Sequence, residues 1–206
     1  RAILSHSFVH DVDLKYADER TDFKTPTNSF TKLGIDVEKR FPLSEKLTGI
    51  IGVNTAFTFY DDITTDDEVS YTDFGYGAKY YLGGVLTRPR KDNYVLPGLK
   101  ENEINATQLF MAQLALQYNI TGKLFLTPHF NFAAIGFQDF DEFIDNAFSA
   151  GQNWQLTEKT STLISAGVTS SVDTFLGPID FDVSWVNDID KFRLFFGIGY
   201  QFNRSN

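Results

Sequence analysis

The closing stretch "GPIDFDVSWVNDIDKFRLFFGIGYQFNRSN", residues 177–206, alternates along two runs. Ile179, Phe181, Val183 and Trp185 are apolar, and Asp180, Asp182 and Ser184 stand between them. After a short polar break the pattern returns. Phe192, Leu194, Phe196, Ile198, Tyr200 and Phe202 alternate with Arg193, Phe195, Gly197, Gly199 and Gln201. A period of two means two strands, each with one apolar face. The fold is decided by what touches that face, a packed protein interior or hydrocarbon.

Working outward, six more strands of the same kind precede these two. They cover residues 2–16, 28–41, 46–60, 106–120, 124–136 and 160–173. Leu33, Ile35 and Val37 share one face of the second, with Lys32, Asp36, Glu38 and Arg40 on the other. Leu47, Ile51, Val53, Phe57 and Phe59 align on the third, Phe110, Leu114, Leu116 and Tyr118 on the fourth. Leu124, Leu126, Phe130 and Phe132 align on the fifth, Ile164, Ala166, Val168 and Val172 on the sixth. These runs are long against a globular average of about five or six residues. Their connections alternate: tight near Pro42, Thr121 and Leu176, long at residues 18–27, 61–105 and 138–159. The last of these contains a short helix around "DEFIDNAF". Short turns on one side and long loops on the other are the habit of outer-membrane barrels. The polar faces also carry too many charges for a dry core. The expected fold is therefore all-β, a transmembrane antiparallel β-barrel with eight strands here. Its apolar positions face lipid, and aromatics such as Tyr118, Trp185 and Phe192 form a girdle near the strand ends.

Composition narrows the function. The chain has 206 residues, 21 Phe, 9 Tyr, no Cys and a formal net charge of −9. Nucleic-acid binders carry clustered Lys and Arg, so that partner class is excluded. No apolar run approaches the ~18 residues of a membrane-spanning helix, but a helix-based scan does not see barrels. The start at Arg1 rather than Met points to a removed leader or to part of a longer chain. No G-x-S-x-G elbow is present, so no catalytic residue is expected in this chain. His6 and His10 would lie about 13 Å apart along a strand, too far to share a metal, and His129 stands alone. The acidic run "DDITTDDE" lacks the spacing of a calcium loop. No metal and no cofactor are expected.

The stretch "LISAGVTSSVDTFLGPIDFDVSWV…FRLFFGIGYQF" resembles the last three strands of the Omp85 superfamily of outer-membrane barrels. In that family a strand enters a "PLGP"-like turn and the final strand ends in aromatics that act as an assembly signal. The resemblance gives Phe192, Leu194, Phe196, Ile198, Tyr200 and Phe202 that signal role, and makes them one side of an openable seam. "YYLGG" (residues 80–84) looks like the "F-x-x-GG" opening of the family's sixth outer loop, which folds back into the lumen. Gly83, Gly84 and Gly98 are then loop-motif residues. Arg88 and Arg90 fall near the family's loop arginine, although no Gly follows either. The resemblance implies that they anchor the loop against inward carboxylates such as Asp180, Asp182 or Glu38. "LPGLKENEINA" is similar to the patatin-fused branch, in which a lipid-hydrolysing domain precedes the barrel.

The family barrel has sixteen strands, and its sixth loop joins strands eleven and twelve. Counting back from the C-terminus makes the first strand here the ninth, so the chain would be half of a sixteen-stranded barrel. One domain, 1–206, is expected, with an inward-folding loop at about 61–105. A free half-sheet exposes unpaired backbone edges to hydrocarbon, at several kcal/mol (order of magnitude) per group. The expected partners are therefore the lipid bilayer, the remaining barrel strands or a second copy, and other outer-membrane assembly proteins. The expected location is the bacterial outer membrane. Two alternatives remain open: a complete small eight-stranded barrel, and a soluble lipocalin-like binder of an apolar ligand.

Overall fold

The structure, a computed structural model, describes residues 2–7, 13–14, 23–24, 30–60, 63–64, 70–71, 75–84, 92–137, 139–148, 160–187 and 189–199. Its strands in chain order are β1 (Ala2–Ser7), β2 (Asp13–Leu14), β3 (Phe23–Lys24), β4 (Phe30–Pro42), β5 (Leu47–Tyr60), β6 (Ile63–Thr64) and β7 (Ser70–Tyr71). They continue with β8 (Tyr80–Gly83), β9 (Asn93–Val95), β10 (Ile104–Ala106), β11 (Gln108–Asn119), β12 (Leu124–Gly136), β13 (Ser161–Thr174), β14 (Gly177–Val186) and β15 (Lys191–Ile198). Two short helices are α1 (Gly75–Ala78) and α2 (Phe140–Asn146).

Eight of these strands form one antiparallel sheet in the order β1-β4-β5-β11-β12-β13-β14-β15. These are the eight strands that the period-two pattern predicts. Every neighbour in the sheet is also the neighbour in sequence once the short elements are set aside. That order is an up-and-down meander, which needs only hairpins and no crossover.

Register fixes which residues share a face. Leu114 pairs with Ile51 and Phe130, and Phe130 in turn with Ala166. Ala166 pairs with Trp185 and Trp185 with Phe192. One continuous apolar face results, running from Leu33, Ile35 and Val37 to Leu194 and Phe196. It is open to its surroundings: Val37 is 56%, Leu114 53% and Phe196 64% exposed. Fully exposing such side chains to water forfeits about 1.5–3 kcal/mol each. A whole face of them is the pattern expected where hydrocarbon is the contacting medium. A lipocalin-like binder has the opposite arrangement, with its apolar side chains turned inward.

The other face departs from expectation in one respect. Its lower part, toward the tight turns, is polar: Asp36, Glu38, Gln113, His129, Asn131, Asp180 and Asp182. Its upper part is apolar and dry, with Ala56, Leu109, Met111, Ala133, Ile135, Leu163 and Val186 all buried. The cover comes from the connection between β5 and β11. That stretch is not irregular throughout: β8 pairs antiparallel with β10 and parallel with β9, making a second small sheet. Tyr80, Leu82, Tyr94, Leu96, Leu99 and Ile104 from it complete one hydrophobic cluster with the upper inner face.

Three further features follow. The predicted first strand, 2–16, is described only as far as Ser7, and Asp13–Leu14 pairs with Phe23–Lys24 instead of with the large sheet. The short helix predicted in the 138–159 connection is α2, and it lies on the outer apolar face. Phe143 and Ala147 are buried there with Ala134, against Phe57, Phe110 and Phe132. Finally, among the described residues β1 and β15 do not pair with each other, so the sheet is open at both sides.

Candidate functional site: the docked loop

No described group of His, Asp or Glu is arranged to hold a metal. The one cluster with the residue types of a nucleophilic triad is His129, Asp182 and Ser184, on the inner faces of β12 and β14. Gly167 on β13 makes room for it, since a Cβ there would lie 2.9 Å from His129 Cε1 and 2.6 Å from the Val183 carbonyl. In a triad the carboxylate and the hydroxyl use opposite ring nitrogens. Here both sit on one: His129 Nε2 is 2.9 Å from Asp182 Oδ2 and 3.5 Å from Ser184 Oγ. The Ser184 hydroxyl donates to Asp182, as does Thr169, at 2.8 Å. Asn131 Nδ2 lies 3.2 Å from His129 Nδ1. Both ring nitrogens are occupied and no base remains to take the Ser184 proton. The cluster is a polar brace across three strands, with Ser171 donating to Asp180 beside it at 2.6 Å.

The main feature of the inner face is the docking of residues 75–84 and 92–106 onto it. At one end stands Lys32 on β4, its side chain 6% exposed. Its Nζ donates to the carbonyls of Gly77 (3.1 Å) and Lys79 (3.0 Å), pairs with Asp92 at 3.1 Å, and sits 4.0 Å from the centroid of the Tyr80 ring. A buried ammonium is stable only when its protons are met, and this one meets two carbonyls, a carboxylate and a π-face. Nearby, Tyr80 donates to the Phe57 carbonyl at 3.0 Å and Thr58 to that of Ala78 at 2.7 Å. Burial pushes the Tyr80 hydroxyl pKa well up, so it remains a donor.

At the other end stands Arg193 on β15. Its guanidinium grips Glu103 with two parallel bonds, the Nη2–Oε1 one at 2.9 Å, and donates to the Gly98 carbonyl at 3.2 Å. The fork geometry matches a carboxylate and fixes direction as well as distance. The Arg193 bond holds the Glu103 carboxyl below its ordinary range, and the backbone N–H of Lys100 assists. Between the two ends, Ser165 on β13 donates to the Pro97 carbonyl.

The glycines of the loop sit where side chains do not fit. A Cβ on Gly83 would lie 2.6 Å from Asn102 N, and one on Gly84 would overlap the Leu99 carbonyl. Gly98 has φ +96° and faces Val186 and the Ser184 side chain. Arg88 and Arg90 lie outside the described residues, as do Tyr200 and Phe202. The carboxylates suggested as their wall partners are engaged within the wall: Asp182 with His129, Asp180 with Ser171, Glu38 with Arg40. The described anchors run the other way round, with cations on the wall and carboxylates in the loop. Phe192, Leu194, Phe196 and Ile198 all point to the outer face of the last strand and are exposed.

Comparison with known families gives one result: the model of the OMP85 superfamily matches residues 4–202. No curated protein matches the chain.

Proposed function

Given that this chain belongs to the OMP85 superfamily, an outer-membrane β-barrel family, we propose that it forms half of a translocation or assembly barrel. Its open sheet is completed by further strands against β1 and β15, and residues 75–84 and 92–106 plug the interior. The observation that carries the reading is the combination of two sheet edges that pair with no other described strand and an exposed apolar outer face. In hydrocarbon those edges must be paired, because nothing else there satisfies backbone N–H and C=O groups. Strands from the same longer chain are the first source. The similarity of "LPGLKENEINA" to the patatin-fused branch supports a parent protein in which this barrel anchors a lipid hydrolase.

The chain has no cysteine, so paired cysteines report edge pairing cleanly. Cysteines at Leu4 and Phe196, on the outer face of the two edge strands, are introduced into the detergent-folded protein. A cross-link to added strands, or between copies, supports completion from outside. An intramolecular Leu4–Phe196 disulfide in a monomer would mean that eight strands close on themselves, and the proposal would be wrong.

A further inference from the structure

The connection between β12 and β13 does something its composition does not announce. Helix α2 folds down onto the outer apolar face, at the end of the sheet that bears the long connections. Phe140 packs edge-on against Phe57, ring centroids 4.9 Å apart, and Phe143 is fully buried. Phe148, just past the helix, lies parallel to Phe132 at 6.0 Å and edge-on to Phe110 at 5.5 Å. Yet the apolar side of this segment is wider than the strip that the sheet covers. Phe148 stays 75% exposed and Ile144 45%. On the opposite side Asp139, Asp141, Glu142 and Asp145 are all exposed. Helical spacing separates these two sets: 140, 143, 144 and 147 on one side, 141, 142 and 145 away from it.

We propose that residues 139–148 are an interfacial anchor. They lie in the headgroup boundary of the leaflet on the long-connection side, with Ile144 and Phe148 against acyl chains and the carboxylates toward water. The argument is continuity. Phe59, Phe110 and Phe132 belong to the same face as Leu114 and Phe130, and Ile144 and Phe148 extend that face outward without a break. An amphipathic segment with one apolar flank and one charged flank is stable where the two media meet. The proposal rests on the reading of the outer face as lipid-facing. It adds that α2 fixes how deeply the barrel sits, which the strands alone leave to their aromatic rim.

The test uses the intact protein in phosphatidylcholine vesicles. Single cysteines replace Ile144, Phe148, Asp145 and, as a mid-face reference, Leu114, each carrying an environment-sensitive fluorophore. Spin-labelled lipids with shallow or deep quenchers and a water-soluble quencher are then compared. Labels at 144 and 148 should be blue-shifted and quenched more by the shallow than by the deep lipid. The label at 145 should answer to the aqueous quencher, and the label at 114 to the deep lipid. If 144 and 148 answer only to the aqueous quencher while 114 keeps its deep-lipid response, the anchor is wrong and the membrane reading stands. If 114 shows no lipid quenching, the membrane reading fails and the anchor with it. Shielding of 144 and 148 from both quenchers means that protein covers them, which also overturns the proposal.

Discussion

Arg193 stands on the last strand, ninety positions from the glutamate it holds. Hydrogen bonds that involve a charged partner contribute about 1.5–3 kcal/mol each, and stranding a half-buried carboxylate adds to the loss. Arg193→Ala should therefore loosen residues 98–103, seen as faster proteolysis within residues 96–104 while the sheet keeps its far-ultraviolet signal. A cycle with Glu103→Gln should show strong non-additivity, since each change removes the same contact. Acid should do the same without mutation. The carboxyl of Glu103 is lowered in the folded protein from its ordinary 4.5, chiefly by Arg193. Its stabilisation is therefore complete above that ordinary value and is lost as pH falls through the lower folded value. Loop protection should be flat from neutral pH down to about 5 and fall at stronger acid, with the fall absent in Glu103→Gln. A protection profile already falling at neutral pH would contradict the assignment. The clamp was only half legible in the sequence. Lys32 and Arg193 read as inward cations and Gly83, Gly84 and Gly98 as loop residues. Which loop carboxylates they meet depends on how the loop crosses the sheet, and no periodicity encodes that.

At the scale of the element, period two is the strongest signal the chain carries, and a one-residue step changes the medium a side chain meets. Leu114→Arg places a guanidinium on the exposed outer face, where a charge near the bilayer middle costs about 2–4 kcal/mol. Gln113→Arg, its neighbour, turns inward beside Gly52 and should cost far less. Urea unfolding in vesicles should separate the two; equal effects would mean that both sides of β11 meet the same solvent. The sequence reading of residues 124–136 has the bounds of the strand, because Leu124, Leu126, Phe130 and Phe132 hold one parity along it. The pattern fails most plainly at the upper ends. In "LFMA" (109–112) and "AAIG" (133–136) both parities turn apolar or small, and there the sheet is covered on both sides, by the loop within and by α2 without. That double apolar signal was present in the sequence. It marks a layer on each face, which alternation by itself does not reveal.

For the whole molecule, the meander order and the family membership followed from strand count, turn lengths and the "LGP" and "GG" positions. The lateral boundary did not, because an edge strand and an internal strand alternate identically. If missing strands complete the sheet, supplying them should raise resistance to heat in detergent, and removing β1 by truncation should lower it. No change on either manipulation would argue that the two edges are never joined.

Lys32 belongs to the second strand of the sheet and Arg193 to the eighth, and the docked residues 75–84 and 92–106 reach both. The plug is thus also a crossbar. Any process that spreads the wall between these strands would load that ammonium and that guanidinium along with the strand ladders. On the proposed reading of this loop as a plug, width and blockage become one variable: the interior would widen only as its two end anchors let go.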